Sequence, residues 1–447
     1  MTAHVKPYPA MKESGVPWLG KVPEHWRTER AKWLFRRMNR PVRETDQVVT
    51  CFRDGTVTLR TNRRVGGFTE SLKEIGYQGI RRGDLVIHAM DAFAGAVGVS
   101  DVDGKGTPVY SVCEPRPMVD AHYYAYAIRE MARSQWIQAL AKGIRERSTD
   151  FRFEGFGSQP VPLPPLPEQA AIVRFLDYAD RRIRKYIRAK QTLIKLLEEQ
   201  VAVRASATMQ LPACRAKRLQ NVAVECLRPI GREAGELYVP LGLYNRGRGI
   251  FHKPPTFGVD LGDSSFSWVE PGDLIVSGQF AWEGAVALAS AAESRKIVSH
   301  RYHLLRGVEG QTTTPYLWAL LRSDFGAMIL DQHSRGAAGR NRPLNLRTLL
   351  KEMVPVPPFE AQLALDELVE TIAPLRAQAA AAVANCREFR VRLIADVVTG
   401  KLDVRDAAAR LPKDVDQAEP LDEIESEGEG GETGADDTSE VLEEAEA

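Results

Sequence analysis

At 447 residues, 44% hydrophobic and 27% charged, the chain has room for two or three globular domains with sizeable cores. Its net charge of +1 hides an asymmetry: residues 411–447 hold 15 Asp/Glu against one Lys, which leaves the body at +15. The absence of any run of about 18 apolar residues excludes a membrane helix, and the opening residues lack the apolar core of a secretion signal.

A basic body calls for an anionic partner, nucleic acid first. The acidic, aromatic-poor segment 406–447 reads as a disordered tail. Cys51, Cys113, Cys214, Cys226 and Cys386 are scattered, odd in number and without C-x-x-C spacing, so they read as free thiols in a reducing cytoplasm.

Residues 1–25 form an irregular arm with aromatic anchors, among them Tyr8, Trp18, His25 and Trp26. Gly15-x-x-x-x-Gly20-Lys21 approaches a phosphate-binding loop. Val22 stands where a metal-binding Ser/Thr is needed, however, and no apolar strand precedes it. Arg27–Arg37 enters the first globule as a short strand or helix. Strand-like runs follow at Gln47–Phe52, Thr56–Leu59 and Asp84–Ala89, then a helical stretch from His122 to Leu140 and a basic glycine loop, Lys142–Arg147. Phe153-x-Gly155-x-Gly157 has the spacing of a cofactor loop but leads into prolines instead of a helix.

Pro162-Leu-Pro-Pro-Leu-Pro-Glu-Gln169 then opens a long amphipathic segment running to about Met209, ~60 Å if continuous. Ile172, Leu176, Ile183 and Ile187 lie on one apolar stripe; Arg174, Arg181, Arg182 and Lys185 lie on the other side. The same plan recurs. Pro355, Pro357, Pro358 and Gln362 repeat Pro162, Pro164, Pro165 and Gln169 at an offset of 193, and Pro271-Gly-Asp-Leu-Ile275 repeats Arg82-Gly-Asp-Leu-Val86 at 189. A helical stretch at Pro315–Ser323 and a second basic loop, Arg335–Arg342, follow in step. The second long segment carries a heptad through Leu365, Leu368, Ile372, Leu375, Ala379, Ala382, Cys386, Phe389 and Leu393, with Pro374 expected to kink or restart it. Its expected partner is the first helix, lying antiparallel; the alternative is a helix of another subunit.

Several features together resemble the DNA specificity subunits of type I restriction–modification systems. They are the arm Trp18-Leu-Gly-x-x-Pro-x-His-Trp26, the Gly-Asp-Leu strand with a later Gly-Ala-Val, the Pro-Leu-Pro-Pro-Leu-Pro-Glu-Gln helix start, and the closing Leu393-Ile-Ala-Asp-Val-Val-Thr-Gly-Lys-Leu-Asp-Val404. Their order and duplication cover about residues 8–405. The resemblance implies an α/β (α+β) chain of two similar target-recognition domains, separated by two long antiparallel helices in a coiled coil with pseudo-two-fold symmetry. The expected boundaries are 1–165 for the arm and first domain, 166–210 for the first helix, 211–358 for the second domain, 359–405 for the second helix and 406–447 for the tail. It further implies a cytoplasmic, non-catalytic subunit that binds a bipartite double-stranded DNA site and docks two methyltransferase and two motor-nuclease subunits. S-adenosylmethionine, ATP and magnesium belong to those partners. Ala361 replaces the glutamate of the first helix start, a departure from the pattern.

Candidate DNA contacts follow from chemistry: glycine lets backbone approach phosphate, and arginine grips guanine or phosphate with its planar fork. They are Lys142, Arg145, Arg147, Arg335, Arg340, Asn341 and Arg342 in the duplicated loops, Arg63 and Arg64 beside Gly66-Gly67, and Arg246 and Arg248 in Asn-Arg-Gly-Arg-Gly. Gln279, in the loop after the second Gly-Asp-Leu strand, suits adenine, with Trp282 and, in the first copy, Phe93 as braces. Ile172, Leu176, Ile183, Ile187, Leu365, Leu368, Ile372 and Phe389 are the expected helix-partner interface. No catalytic or metal residues are expected; His300-x-x-His303 lacks the spacing of a zinc helix.

Two other functions compete. A single-chain adenine methyltransferase or nuclease would need an Asn-Pro-Pro-aromatic motif, whereas both Pro-Pro sites here lack the Asn. A coiled-coil adaptor that never touches DNA would not need the basic body.

Overall fold

A computed structural model describes residues 5–63, 75–140, 150–336 and 342–412. They fall into two compact units, residues 5–188 with 383–412, and residues 189–382. Two long helices, Leu166–Met209 and Phe359–Val398, each give one half to each unit.

The first unit is built on an antiparallel sheet of β1 (Phe35–Met38), β2 (Leu85–His88), β3 (Val97–Val99) and β4 (Tyr110–Pro115), in the order β3-β2-β4-β1. Strand alternation sends β2 into two cores. Leu85 and Ile87 are buried with Tyr124, Ile128 and Met131 of the helix Ala121–Arg133, while Val86 is buried with Val49, Cys51, Val57 and Ile80. The second unit has the same construction. Strands β5 (Ala223–Glu225), β6 (Leu274–Ser277), β7 (Val286–Leu288) and β8 (Tyr302–Gly307) are ordered β7-β6-β8-β5, again antiparallel. Leu274 and Val276 pack with Tyr316, Leu317 and Leu320 of the helix Thr314–Arg322, and Ile275 with Leu241, Leu243, Val269 and Val298.

The Gly-Asp-Leu motif belongs to this scaffold. Gly83 (φ 91°) and Gly272 (φ 85°) are left-handed turn residues, and the aspartate after each is buried. Asp84 accepts the Arg81 N–H (2.7 Å) and the Arg40 guanidinium (2.5 and 3.1 Å). Asp273 accepts the Glu270 N–H (2.8 Å), Arg228 (2.8 and 3.1 Å) and Arg306 (2.7 Å). A buried charge needs such partners.

The duplicated glutamine is a clamp at each helix start. Gln169 Nε2 donates to the carbonyls of Pro164 (2.9 Å) and Met118 (3.2 Å), and its Oε1 accepts the Asp120 N–H (2.8 Å). Gln362 does the same with Pro357 (2.9 Å), Gln311 (3.1 Å) and the Thr313 N–H (2.9 Å). Asp120 and Thr313 are in turn the N-caps of the two domain helices.

Five expectations need correcting. The tail does not begin at 406: Arg405–Ala409 is a short helix whose Ala407 and Ala408 are buried in the first unit's core. The arm is not irregular: Lys6–Pro7 pairs with Leu402–Asp403, and Met11–Glu13 with Lys21–Pro23. Glu168 explains its course, because this buried carboxylate accepts from the Tyr8 hydroxyl, the Trp26 indole (2.9 Å) and His25 Nε2 (2.9 Å). The second long helix stops at Val398 instead of 405, since Gly400 (φ 76°) turns the chain. It runs through Pro374 without a restart, because Pro374 is exposed and water can take the carbonyl it frees.

The helix seam is also displaced. It runs Leu365, Val369, Ile372, Arg376, Ala379, Val383, Cys386, Arg390, Leu393, one residue beyond the expected position at every second step. Leu375 and Phe389, expected inside, are 47% and 41% exposed, and Leu368 is only partly buried. Arginines hold two of the seam positions because acids on the first long helix meet them: Glu198 lies 3.4 Å from Arg376, and Asp180 pairs with Arg390 and Arg184. Ile172, Leu176, Ile183, Ile187, Leu365 and Ile372 are buried.

Candidate nucleic-acid interface

In the second unit three stretches singled out in the sequence meet at the loop that leaves the C-terminal end of β6. Strand β6 ends at Ser277, whose hydroxyl accepts the N–H of Gln279 (3.3 Å) and Phe280 (3.1 Å), shaping the loop through Glu283. Gly278 ties that loop in on both sides: its N–H donates to the Arg301 carbonyl (2.6 Å), and its carbonyl accepts from Leu344 (2.7 Å). A turn at Asn245–Arg248 docks on the other flank. Arg246 N–H reaches the Glu283 carbonyl (2.7 Å), Gly247 N–H the Gly284 carbonyl (2.9 Å), and the Asn245 amide the Glu283 carboxylate. The third stretch arrives through Arg342, stacked over Trp282 at 4.6 Å and paired with Asp331 at 2.8 Å.

The side chains differ in how free they are. Arg246, Arg248 and Arg335 are exposed; Arg248 lies over the Tyr244 ring at 5.0 Å. Gln279 and Arg342 are half-buried. An exposed guanidinium braced by an aromatic ring keeps its fork available while losing less entropy on binding. Arg63 is committed inside the first unit instead, paired with Asp54 at 2.6 Å and stacked over Phe52 at 4.8 Å. Candidates Arg64, Lys142, Arg145, Arg147, Arg340 and Asn341 lie outside the described residues.

The first unit has a matching end of different chemistry. Its turn carries Arg53-Asp54-Gly55, and Arg53 pairs with Asp91 (3.0 Å) of the loop after β2. His88 Nδ1 accepts the Asp91 N–H (3.1 Å), and Phe93 packs on the core as a brace. Burial pushes the His88 pKa down, with Asp91 acting the other way.

Sequence reasoning missed Glu283 as the residue that fastens the turn, and missed Arg322 and Arg376 beneath it. The signal for the second pair was the position of Arg322, 193 after Arg129, the offset of the clamping glutamines. Among the described residues no group of His, Cys, Asp and Glu could hold a metal ion, and no helix is long and apolar enough to cross a membrane. All five cysteines are free thiols.

No protein-family model matches the chain, and no curated protein matches it. Solved structures do. A chain from a study of complex assembly and conformational transition of the type I R-M system is 16% identical, with a TM-score of 0.53 over 84% of this chain and 98% of its own. The HsdS subunit from Thermoanaerobacter tengcongensis is 17% identical (TM-score 0.40; 85% and 98% covered), and the type I restriction–modification S subunit from M. genitalium 13% (0.47; 83% and 96%). The chain therefore shares a fold found in a type I restriction–modification system, the family that its sequence resembles.

Proposed function

We propose that this chain is the non-catalytic DNA-recognition subunit of a type I restriction–modification complex. Each unit is a target-recognition domain reading one half of a bipartite double-stranded site. The two long helices pair antiparallel as a coiled coil and set the unread spacer. Two methyltransferase and two motor-nuclease subunits dock on the helices and bring S-adenosylmethionine, ATP and magnesium; the assembly works in the cytoplasm.

One observation carries the reading: the turn Asn245–Arg248, the loop Gln279–Glu283 and the Arg342 stack come together at one end of a sheet whose order and two-sided core recur in the first unit. Exposed arginines at such an end supply phosphate contacts, which dominate affinity. Arginine and glutamine side chains supply base-edge contacts, which carry specificity. Antiparallel pairing is supported by Asp180 meeting Arg390 and Glu198 meeting Arg376, so that partner number falls as position along the first helix rises. The duplicated glutamine clamps support an internal repeat. Leu193, Leu196 and Val203 on the first long helix and Leu375, Phe389 and Val391 on the second are exposed, as partner-docking helices require.

The test is selection of the full chain on a pool of randomised duplexes, about four helical turns long. Two short motifs at fixed spacing should be enriched, with binding that weakens steeply with salt. Exchanging residues 27–157 for those of another such chain should change one motif only. A pool without enrichment, or salt-insensitive binding, sinks the proposal.

A further inference from the structure

The turn that presents Arg246 and Arg248 rests on two other arginines. Gly247 (φ 65°) is so close to Arg322 that a Cβ there would lie 2.6 Å from its guanidinium. A Cβ on Gly249 (φ 105°) would lie 3.2 Å from that of Arg376. Both guanidinium groups face one carboxylate, Glu198 of the first long helix, at 3.8 Å from Arg322 and 3.4 Å from Arg376. Arg322 also lies over the Trp318 ring at 4.9 Å. Its plane is thus fixed between an aromatic ring, an acid and a glycine turn. The opposite side of the turn is fastened to Glu283 and Gly284. Burial pushes the Arg322 pKa down and nearby Arg376 adds to this, while Glu198 acts the other way.

The first unit repeats the device. Gly55 (φ 90°) would place a Cβ 2.6 Å from the guanidinium of Arg129. Arg129 feels Asp54 of the same turn, Tyr126 of its own helix, and the Asp180–Arg390 pair of the long helices. Arg129 and Arg322 stand 193 residues apart. In both units, then, an arginine on the helix behind the sheet carries a glycine turn against its guanidinium; Arg322 is paired with Glu198, while Arg129 lies in the field of the Asp180–Arg390 pair. A lysine keeps the charge but has no plane on which a glycine can lie.

We propose that Arg129 and Arg322 are positioning residues for DNA reading. Arg322, held by Glu198 and Trp318, sets the height and tilt of the turn that carries Arg246 and Arg248, and Arg129 does the same for Arg53-Asp54-Gly55. A shift of about 1 Å at such a turn spoils the alignment of a fork with a base edge. The first long helix thereby takes part in specificity, because its Glu198 holds the arginine under the second unit's turn. This inference rests on the DNA-recognition reading.

The experiment is the same randomised-duplex selection, run on the full chain and on R322K, R129K and G247A. R322K should lose about tenfold of base discrimination in one motif only, with the other motif and the salt slope unchanged. R129K should do the same to the other motif. G247A, which pushes the guanidinium away from the turn, should reproduce R322K. A merely structural role for Arg322 would lower the active fraction and leave the preferences of the surviving molecules intact at both motifs. That result, or equal loss at both motifs, overturns the inference while the recognition reading stands. A wild-type chain that enriches no motif overturns the recognition reading, and this inference with it.

Discussion

Asp180 offers the sharpest test of the helix seam. It is buried and pairs with Arg184 on its own helix and with Arg390 on the other. Asp180→Leu removes the carboxylate that Arg184 and Arg390 share in the seam. Breaking a buried pair costs about 3–5 kcal/mol. Arg184 and Arg390 keep some exposure, 22% and 29%, so solvent screening brings the expected loss to about 2–3 kcal/mol. Arg390→Leu alone should cost less, about 1 kcal/mol, because Arg184 still pairs with Asp180. The double variant Asp180→Leu/Arg390→Leu makes the seam apolar at both positions and should come within about 1 kcal/mol of the wild type, since apolar replacements of buried pairs are often neutral or better. Urea unfolding followed by probes in each unit reads these values, with two-state behaviour checked for each transition. The pH dependence has a definite sign. Burial raises the Asp180 pKa, but Arg390 and Arg184 outweigh it and hold the carboxyl below its ordinary value. The stabilisation is therefore present above the unfolded-state pKa and is lost as pH falls through the lower folded-state value. A loss under about 0.5 kcal/mol for Asp180→Leu, or a double variant worse than the sum of the singles, would refute the reasoning.

Glu168→Ala removes the acceptor shared by Tyr8, His25 and Trp26. It should raise hydrogen exchange in residues 5–26 while leaving the second unit unchanged; unaltered exchange in the arm would count against the clasp. Burial, with Glu370 adding to it, pushes Asp366 up to about 6, and the Thr313 hydroxyl acts the other way. A folded-state pKa above the unfolded one makes stability fall as pH rises from about 4 to about 6. Asp366→Asn should therefore be the more stable protein at pH 7.5, by about 1 kcal/mol after discounting for solvent access, and no different at about pH 3, below the unfolded-state pKa; thermal melts at both values decide it. Arg246→Ala and Arg248→Ala should each reduce the slope of log affinity against log salt by about one if their guanidinium groups contact phosphate. An unchanged slope with relaxed preference at one base pair would make that residue a base reader instead.

Repetition made most of the fold legible. The offsets of 189 and 193 located two Gly-Asp-Leu strands and two clamping glutamines, and these sit in equivalent places in the two sheets and helix starts. The helix seam was only half legible. A search for apolar residues at three- and four-residue steps selects Leu375 and Phe389, because nothing in local sequence says that Glu198 and Asp180 turn Arg376 and Arg390 inward. The missing glutamate at Ala361 looked like a flaw in the repeat. Its partner Glu168 receives the arm, and the arm occurs once in the sequence. At the candidate interface, residue type pointed to the arginines but not to their commitments: Arg63 and Arg246 look alike in sequence, yet one is spent on Asp54 and the other is exposed. Turn geometry and long-range ion pairs settle that difference, and neither has a local signature.

The most direct measurement of the central claim is a genome-wide map of N6-methyladenine in the native host, with and without this gene. The account predicts that deletion erases methylation at one bipartite motif, two short half-sites at fixed spacing, and leaves every other methylated motif in place. An identical map in the two strains, with a methyltransferase subunit co-purifying with the chain, would contradict it.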